Sequence, residues 1–271
     1  MHHDTHKTFP AGQTGPTDIF SGPRHLWIIY ILPYIEQGPL YNSYNFAAGF
    51  RGPSYQSVNG AFLQKVVPLL RCPSDSAGVF SGEWANDNVT RINYVACFSA
   101  DGTQVEPGAD YNDNPGGAFN NAANNPSVTS GKRAIFNINV KRGMKSVTDG
   151  TSNTLMLSEL IAGRSGSLDL RGPWSSELCT YYTHYRTPNT SVKDSIWSSI
   201  PQYCIDQPDV PCSANAPSFG TMNLSARSRH TGGVNACAID GSVRFVTNGI
   251  DPAAWQALGS IAGGEVANLT N

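Results

Sequence analysis

His230-Thr-Gly-Gly-Val-Asn-Ala-Cys-Ala-Ile-Asp-Gly-Ser-Val-Arg-Phe-Val246 reads as a β-hairpin closed by Asp240-Gly241. A two-residue turn of that kind needs positive φ at both central positions, which aspartate tolerates and glycine adopts freely. Pivoting there sets Ala238 opposite Val243, Ala236 opposite Phe245 and Val234 opposite Thr247. On the other surface Ile239 meets Ser242, Cys237 meets Arg244 and Asn235 meets Val246. Opposed residues of a hairpin share a face, so this register predicts one mostly apolar side packed on a core and one mixed side.

Working outward, Asp251 caps a helix with Pro252 at its first position and Trp255, Leu258 and Ile261 on its inner face, stopped by Gly263-Gly264. Upstream, Thr154 to Leu160 reads as an apolar strand, with Leu155 and Leu157 opposite Met156, entered from the tight turn Asp149–Asn153. Two further stretches are strand-like. They are Arg91 to Ser99, with Ile92, Tyr94 and Ala96 on one face and Val95 and Cys97 on the other, and Ala134 to Val140. Near the start, Trp27, Tyr30, Ile31, Tyr34 and Ile35 fall at helical spacing within 26–37, interrupted by Pro33. Leu40, Tyr41 and Tyr44 begin another short helical turn after Gly38-Pro39, and 61–70 is a short apolar segment.

Several co-linear motifs carry a resemblance. They are His3–Pro10 (His-Asp-Thr-His-Lys-Thr-Phe-Pro), Ile31–Asn42 (Ile-Leu-Pro-Tyr-Ile-Glu-Gln-Gly-Pro-Leu-Tyr-Asn), Arg71–Asp75 (Arg-Cys-Pro-Ser-Asp), Asp149–Thr154 (Asp-Gly-Thr-Ser-Asn-Thr), and His230 followed after nine residues by Asp240-Gly241. Gly263–Val266 (Gly-Gly-Glu-Val) closes the series. In that order they resemble a large paralogous planctomycete family, domain of unknown function 1559, whose members resemble type IV pilins and pseudopilins. Such members usually begin with a basic leader, a Gly-Phe-Thr-Leu-Ile-Glu-like cleavage site and a long apolar helix. None of these is present here, so the resemblance implies a chain that opens where that helix would be ending, through truncation or a late start codon.

Composition narrows the function classes. Charged residues make up only 14%, against about a quarter in ordinary domains, while Gly 27 and Pro 18 favour turns and irregular loops. A net charge of −2 provides no electrostatic footprint for nucleic acid or anionic lipid. No apolar run reaches the ~20 residues of a bilayer-spanning helix, and no signal-peptide pattern is visible. The six cysteines (Cys72, Cys97, Cys179, Cys204, Cys212 and Cys237) include no close pair of the zinc-finger kind. An even count suits disulfides; Cys204 and Cys212 are the best local candidates, with buried reduced thiols as the alternative.

Candidate chemistry is sparse. Gly-x-Ser-x-Gly, His-Glu-x-x-His, phosphate-loop and dinucleotide motifs are missing, so no catalytic residue and no cofactor is expected. Calcium is the one metal considered, at Asp101, Asp110 and Asp113 in the polar stretch 99–132, although the spacing lacks the closing glutamate of an EF-hand. His2, His3, Asp4 and His6 sit at a terminus that rarely fixes ligand geometry. His230 is expected to bond a backbone carbonyl and fix entry into the strand, and Asp149 to serve its own turn. Trp174, Tyr181, Tyr182, Tyr185 and Trp197 either plug the loop-rich stretch 161–226 or form a recognition surface.

The expected fold is therefore α+β: one domain over 1–271, an antiparallel sheet with a few short helices, loop-rich insertions at 99–132 and 161–226, and a C-terminal hairpin and helix at 227–271. The resemblance implies a pilin-like globular head, non-enzymatic, periplasmic or at the cell surface, whose partners are pilin-like subunits or secretion machinery. The alternative is an extracellular module that binds a glycan or solute through its aromatic loops. It predicts a concave Tyr- and Trp-lined site, where the pilin-like reading predicts a convex head.

Overall fold

The computed structural model describes residues 2–15, 23–48, 58–82, 85–101, 133–174, 180–217 and 222–265. Within them the chain begins with α1 (His2–His6), β1 (Gln13–Thr14), β2 (His25–Leu26), α2 (Trp27–Ile31), α3 (Gly38–Asn42) and α4 (Gly60–Leu63). The strands β3 (Val79–Gly82), β4 (Ala85–Thr90), β5 (Tyr94–Ser99), β6 (Leu155–Glu159) and β7 (Tyr181–Thr183) follow. Then come β8 (Asp194–Trp197), β9 (Cys212–Ala216), β10 (Gly233–Ala238), β11 (Val243–Thr247) and α5 (Pro252–Gly259).

A five-stranded sheet in the order β11-β10-β6-β5-β7 organises the rest, antiparallel except where β7 runs parallel to β5. The fold is α+β. Alternation along β5 feeds two cores, one on each face of the sheet. Val95 and Cys97 join Leu155, Tyr182, Val234 and Ala236 under Trp255 and Leu258 of α5. Ala96 and Phe98 join Trp27, Ile29, Phe136, Tyr181 and Ile239 on the opposite face.

The hairpin forms, but one residue out of the expected register. Cys237 pairs with Val243, Ala236 with Arg244 and Val234 with Val246. The connection is a three-residue loop, Ile239-Asp240-Gly241. The Gly241 amide donates to the Ala238 carbonyl (2.9 Å) and that of Ala238 to Ser242 (2.8 Å). Only Gly241 has positive φ, at +88°, as this loop type requires. The cause lies outside the hairpin. Ile239 is buried in the core and its amide is committed to the Thr154 carbonyl (2.9 Å), while that of Asp240 reaches Thr151 (3.1 Å). Ile239 therefore cannot pair with Ser242, and the whole of β11 turns over. Val246 goes inward, and Val243 and Phe245 face out, 67% and 47% exposed.

Other departures have local causes. The segment expected as one helix over 26–37 is α2 followed by a 3₁₀ turn at Leu32–Ile35, because Pro33 cannot donate into an α ladder. Its buried face is Trp27, Ile28, Ile29 and Leu32; Tyr30 and Tyr34 sit at the rim, hydroxyl-bonded to Thr14 and His6. β6 carries a bulge, so Leu155 and Leu157 point to opposite cores rather than sharing a face. Residues 134–140 form isolated bridges instead of a strand, the chain kinking at Asn139 (φ +56°). α5 is capped by Asp251 Oδ1, which accepts the Ala254 amide (2.9 Å), and it ends at Gly259, ahead of Gly263.

The described parts of 161–226 are held from inside by arginines. Arg91 donates to the carbonyls of Asp169, Arg171 and Ser167. Arg171 pairs with Asp169, and Arg227 with Asp194, each pair almost fully shielded from water. In a chain with so little charge, these buried guanidiniums serve the unpaired carbonyls that irregular backbone leaves behind. Cys204 and Cys212 form a disulfide across eight residues. Replacing both with serine is expected to lower stability by about 2–3 kcal/mol through the freed denatured loop. An unchanged denaturant midpoint would show that the surrounding hydrogen bonds already close the loop.

Candidate functional site

Two of the sequence motifs meet at one place, around a carboxylate that belongs to neither. Cys72 follows a 3₁₀ turn at Pro68–Leu70, Glu159 ends β6, and His230 stands just ahead of β10. The sheet brings them together across long separations, 158 residues between Cys72 and His230 and 71 between Glu159 and His230. His230 Nε2 lies 3.6 Å from Cys72 Sγ and 3.0 Å from Glu159 Oε1. Among the described residues this is the group of three or more His, Cys, Asp or Glu side chains whose ligating atoms all lie within 4.8 Å of one another. Cys72 and Glu159 are buried, while the His230 side chain is 30% exposed.

Glu159 and Cys72 are held from behind. Glu159 Oε2 accepts the Asn235 amide at 2.7 Å, which aims Oε1 at the histidine. Asn93 Oδ1 accepts the Cys72 amide (2.9 Å), and Asn93 Nδ2 donates to Asp75 Oδ2 (2.6 Å) and to the Leu160 carbonyl (2.9 Å). Asp75 also accepts the Ala162 amide (2.9 Å) and Arg229 Nε (2.7 Å). Hydrogen bonds that Arg229 donates to Asp75 and Asp209 hold its guanidinium pKa above its ordinary range, and the same pairing draws the Asp209 carboxyl down. The pKa of the Tyr94 phenol, opposite Glu159 in the sheet, is raised first by burial and then by the proximity of Cys72 and Glu159.

This geometry corrects the expected role of His230, whose ring nitrogen faces a carboxylate and a thiol rather than a backbone carbonyl. It also differs from a nucleophile–base–acid relay. There the acid holds one imidazole nitrogen while the other faces the nucleophile; here Nε2 faces both partners. Glu159 was missed in the sequence. The available signal was a carboxylate closing an apolar strand, and its partners lie far away in the chain.

The remaining candidates are placed elsewhere. Asp240 Oδ1 accepts the Ser242 amide (2.9 Å) and hydroxyl (2.7 Å), which lowers its pKa and makes it a turn residue beside Gly241. Asp149 reaches beyond its own turn and accepts the amides of Gly263 (2.6 Å) and Gly264 (3.1 Å), so two further motifs meet there. Asp101 accepts the Ser99 hydroxyl (2.9 Å); Asp110 and Asp113 lie outside the described residues, as does Cys179. Of the aromatic group, Trp174, Tyr181 and Tyr182 are buried, Trp197 is half-buried, and Tyr185 is exposed with Arg186 stacked on its ring.

No helix among the described residues is long and apolar enough to cross a membrane. No curated protein and no solved structure matches the chain. A family described as "Protein of unknown function (DUF1559)" matches residues 1–253. With its dispersed motifs gathered around Glu159 and Asp149, the chain belongs to the DUF1559 family.

Proposed function

We propose that this chain is the globular head of a pilin-like, non-enzymatic structural protein exported to the periplasm or cell surface, where it assembles with like subunits. The observation that carries this reading is β11. It is the edge strand of the sheet among the described residues, and its outward face presents Val243 and Phe245 to solvent. An edge that combines unpaired backbone groups with large apolar side chains is a template for association, which monomeric proteins blunt with charge or proline. The Cys204–Cys212 disulfide favours an oxidising compartment. The burial of Trp174, Tyr181 and Tyr182 weighs against a glycan site built on the aromatic loops.

The test uses the intact gene product in its own host. Surface-protease accessibility and mild crosslinking are expected to show an exposed protein in a ladder of multimers. Val243→Lys with Phe245→Lys is expected to collapse that ladder while leaving export and thermal stability near the parent. A monomeric, protease-shielded cytoplasmic product would sink the proposal, and so would a ladder indifferent to both lysines.

A further inference from the structure

We propose that Cys72, Glu159 and His230 form a binding site for one divalent transition-metal ion of the zinc class. Tetrahedral zinc, with bonds of about 2.3 Å to sulfur and about 2.1 Å to nitrogen or oxygen, separates its sulfur and nitrogen ligands by about 3.6 Å and its nitrogen and oxygen ligands by about 3.4 Å. The observed separations are 3.6 Å for Sγ to Nε2 and 3.0 Å for Nε2 to Oε1. Two edges of the triangle thus have nearly the right length before any ion enters, and the third, Sγ to Oε1, lies within 4.8 Å.

The protonation chemistry points the same way. Glu159 already accepts two hydrogen bonds from Asn235, through the backbone amide and Nδ2. A proton on His230 Nε2 would serve Oε1 but would leave the Cys72 S–H without that nitrogen as an acceptor. Three electron-pair donors thus face one another. A cation accommodates all three by taking a lone pair from each, with the thiol proton released to water and the imidazole proton held on Nδ1 instead of Nε2. Thiolate and imidazole ligands select zinc-like ions over calcium or magnesium, which prefer oxygen alone.

The supports fit the same use. The Asn235 amide on Glu159 Oε2 and Asn93 on the Cys72 amide fix two of the ligands by the outer hydrogen bonds that metal sites employ. Partial exposure of His230 gives an ion a path in and leaves the fourth corner to water. The ligands are too far apart in the chain for any spacing motif to report them. The inference is independent of assembly, since it concerns a single head.

The test takes the reduced, chelator-washed full chain and titrates it with zinc sulfate, then with cobalt chloride as a spectroscopic stand-in. One equivalent is expected to bind, with a thiolate-to-cobalt charge-transfer band. Cys72→Ser is expected to abolish the band, and His230→Gln and Glu159→Gln to weaken affinity at least tenfold. Mass-spectrometric mapping of alkylation in the parent needs no variant that might misfold, and zinc is expected to slow modification of Cys72 at least tenfold relative to Cys237. The proposal is overturned if the parent takes up no metal. It is equally overturned if uptake is unchanged in Cys72→Ser and His230→Gln, as binding by His2, His3 and His6 would give, or if zinc leaves Cys72 alkylation unaltered.

Discussion

Replacing Arg171 by methionine is expected to cost about 3–5 kcal/mol of stability, the usual penalty for stranding one partner of a buried ion pair. Neither side chain of the Arg171–Asp169 pair touches solvent. The guanidinium grips Asp169 through Nε (2.8 Å) and Nη2, and also donates to the carbonyls of Val210 (2.6 Å) and Ile205 (2.8 Å) inside the disulfide loop. Methionine matches much of the volume but leaves a buried carboxylate facing it. The double replacement Asp169→Leu with Arg171→Met removes the stranded charge and is expected to recover part of the loss. It stays below the parent because the two carbonyls remain unpaired, at about 1–3 kcal/mol each. Urea denaturation of parent, single and double variants measures the difference, and equal midpoints would contradict the assigned role. The surface pair Lys193–Asp206 is the contrast, and Lys193→Ala is expected to leave the midpoint where it is.

Acid is expected to unfold the protein through His184. This imidazole is fully buried, stacked on Trp255 with ring centres 3.8 Å apart. Nδ1 donates to the Trp255 carbonyl (2.5 Å), so Nε2 is the acceptor of the Tyr182 hydroxyl (2.9 Å). A second proton would sit on Nε2 facing that phenol with no water to receive it. Burial accordingly pushes the pKa down to about 3, against 6.5 for an unconstrained histidine, partly offset by the carbonyl bond. Between those values the unfolded chain binds a proton that the native state refuses. The His184 contribution is complete above pH 6.5 and shrinks as pH falls, by at most about 1.4 kcal/mol per unit, until about pH 3. Denaturation midpoints from pH 7 to 4 are expected to decline more steeply in the parent than in His184→Asn. Parallel curves would assign the acid sensitivity to the carboxylates instead.

What could be read from the sequence was what neighbouring residues decide. Asp251-Pro252 marked the start of α5 because a cap needs only its own helix, and Cys204 and Cys212 stood near enough to suggest a loop. The hairpin existed in the pattern of Val234 to Val246, but its register did not, because the amide of Ile239 is spoken for by Thr154. Leu155 and Leu157 looked equivalent until the bulge between them separated their faces. The candidate site was half visible: Cys72 and His230 lay inside motifs, while Glu159 carried no local mark and the meeting of all three depends on the order of the sheet. The buried pairs of Arg171 and Arg227 were silent for the same reason. Nothing in a run of residues says that an arginine will point inward.

The three-residue loop of the hairpin also bears on how members of the family could diverge. β11 has two amphipathic outfits, one showing Val243 and Phe245 to solvent and the other showing Arg244 and Val246. Which one it wears is decided by Ile239-Asp240-Gly241 and its anchorage to the Thr151–Thr154 turn, not by the strand. Slipping the pairing by one residue exchanges the two outfits wholesale. A lineage could therefore turn an apolar rim into a charged one, or back again, by editing a single bend and leaving the strand sequence intact.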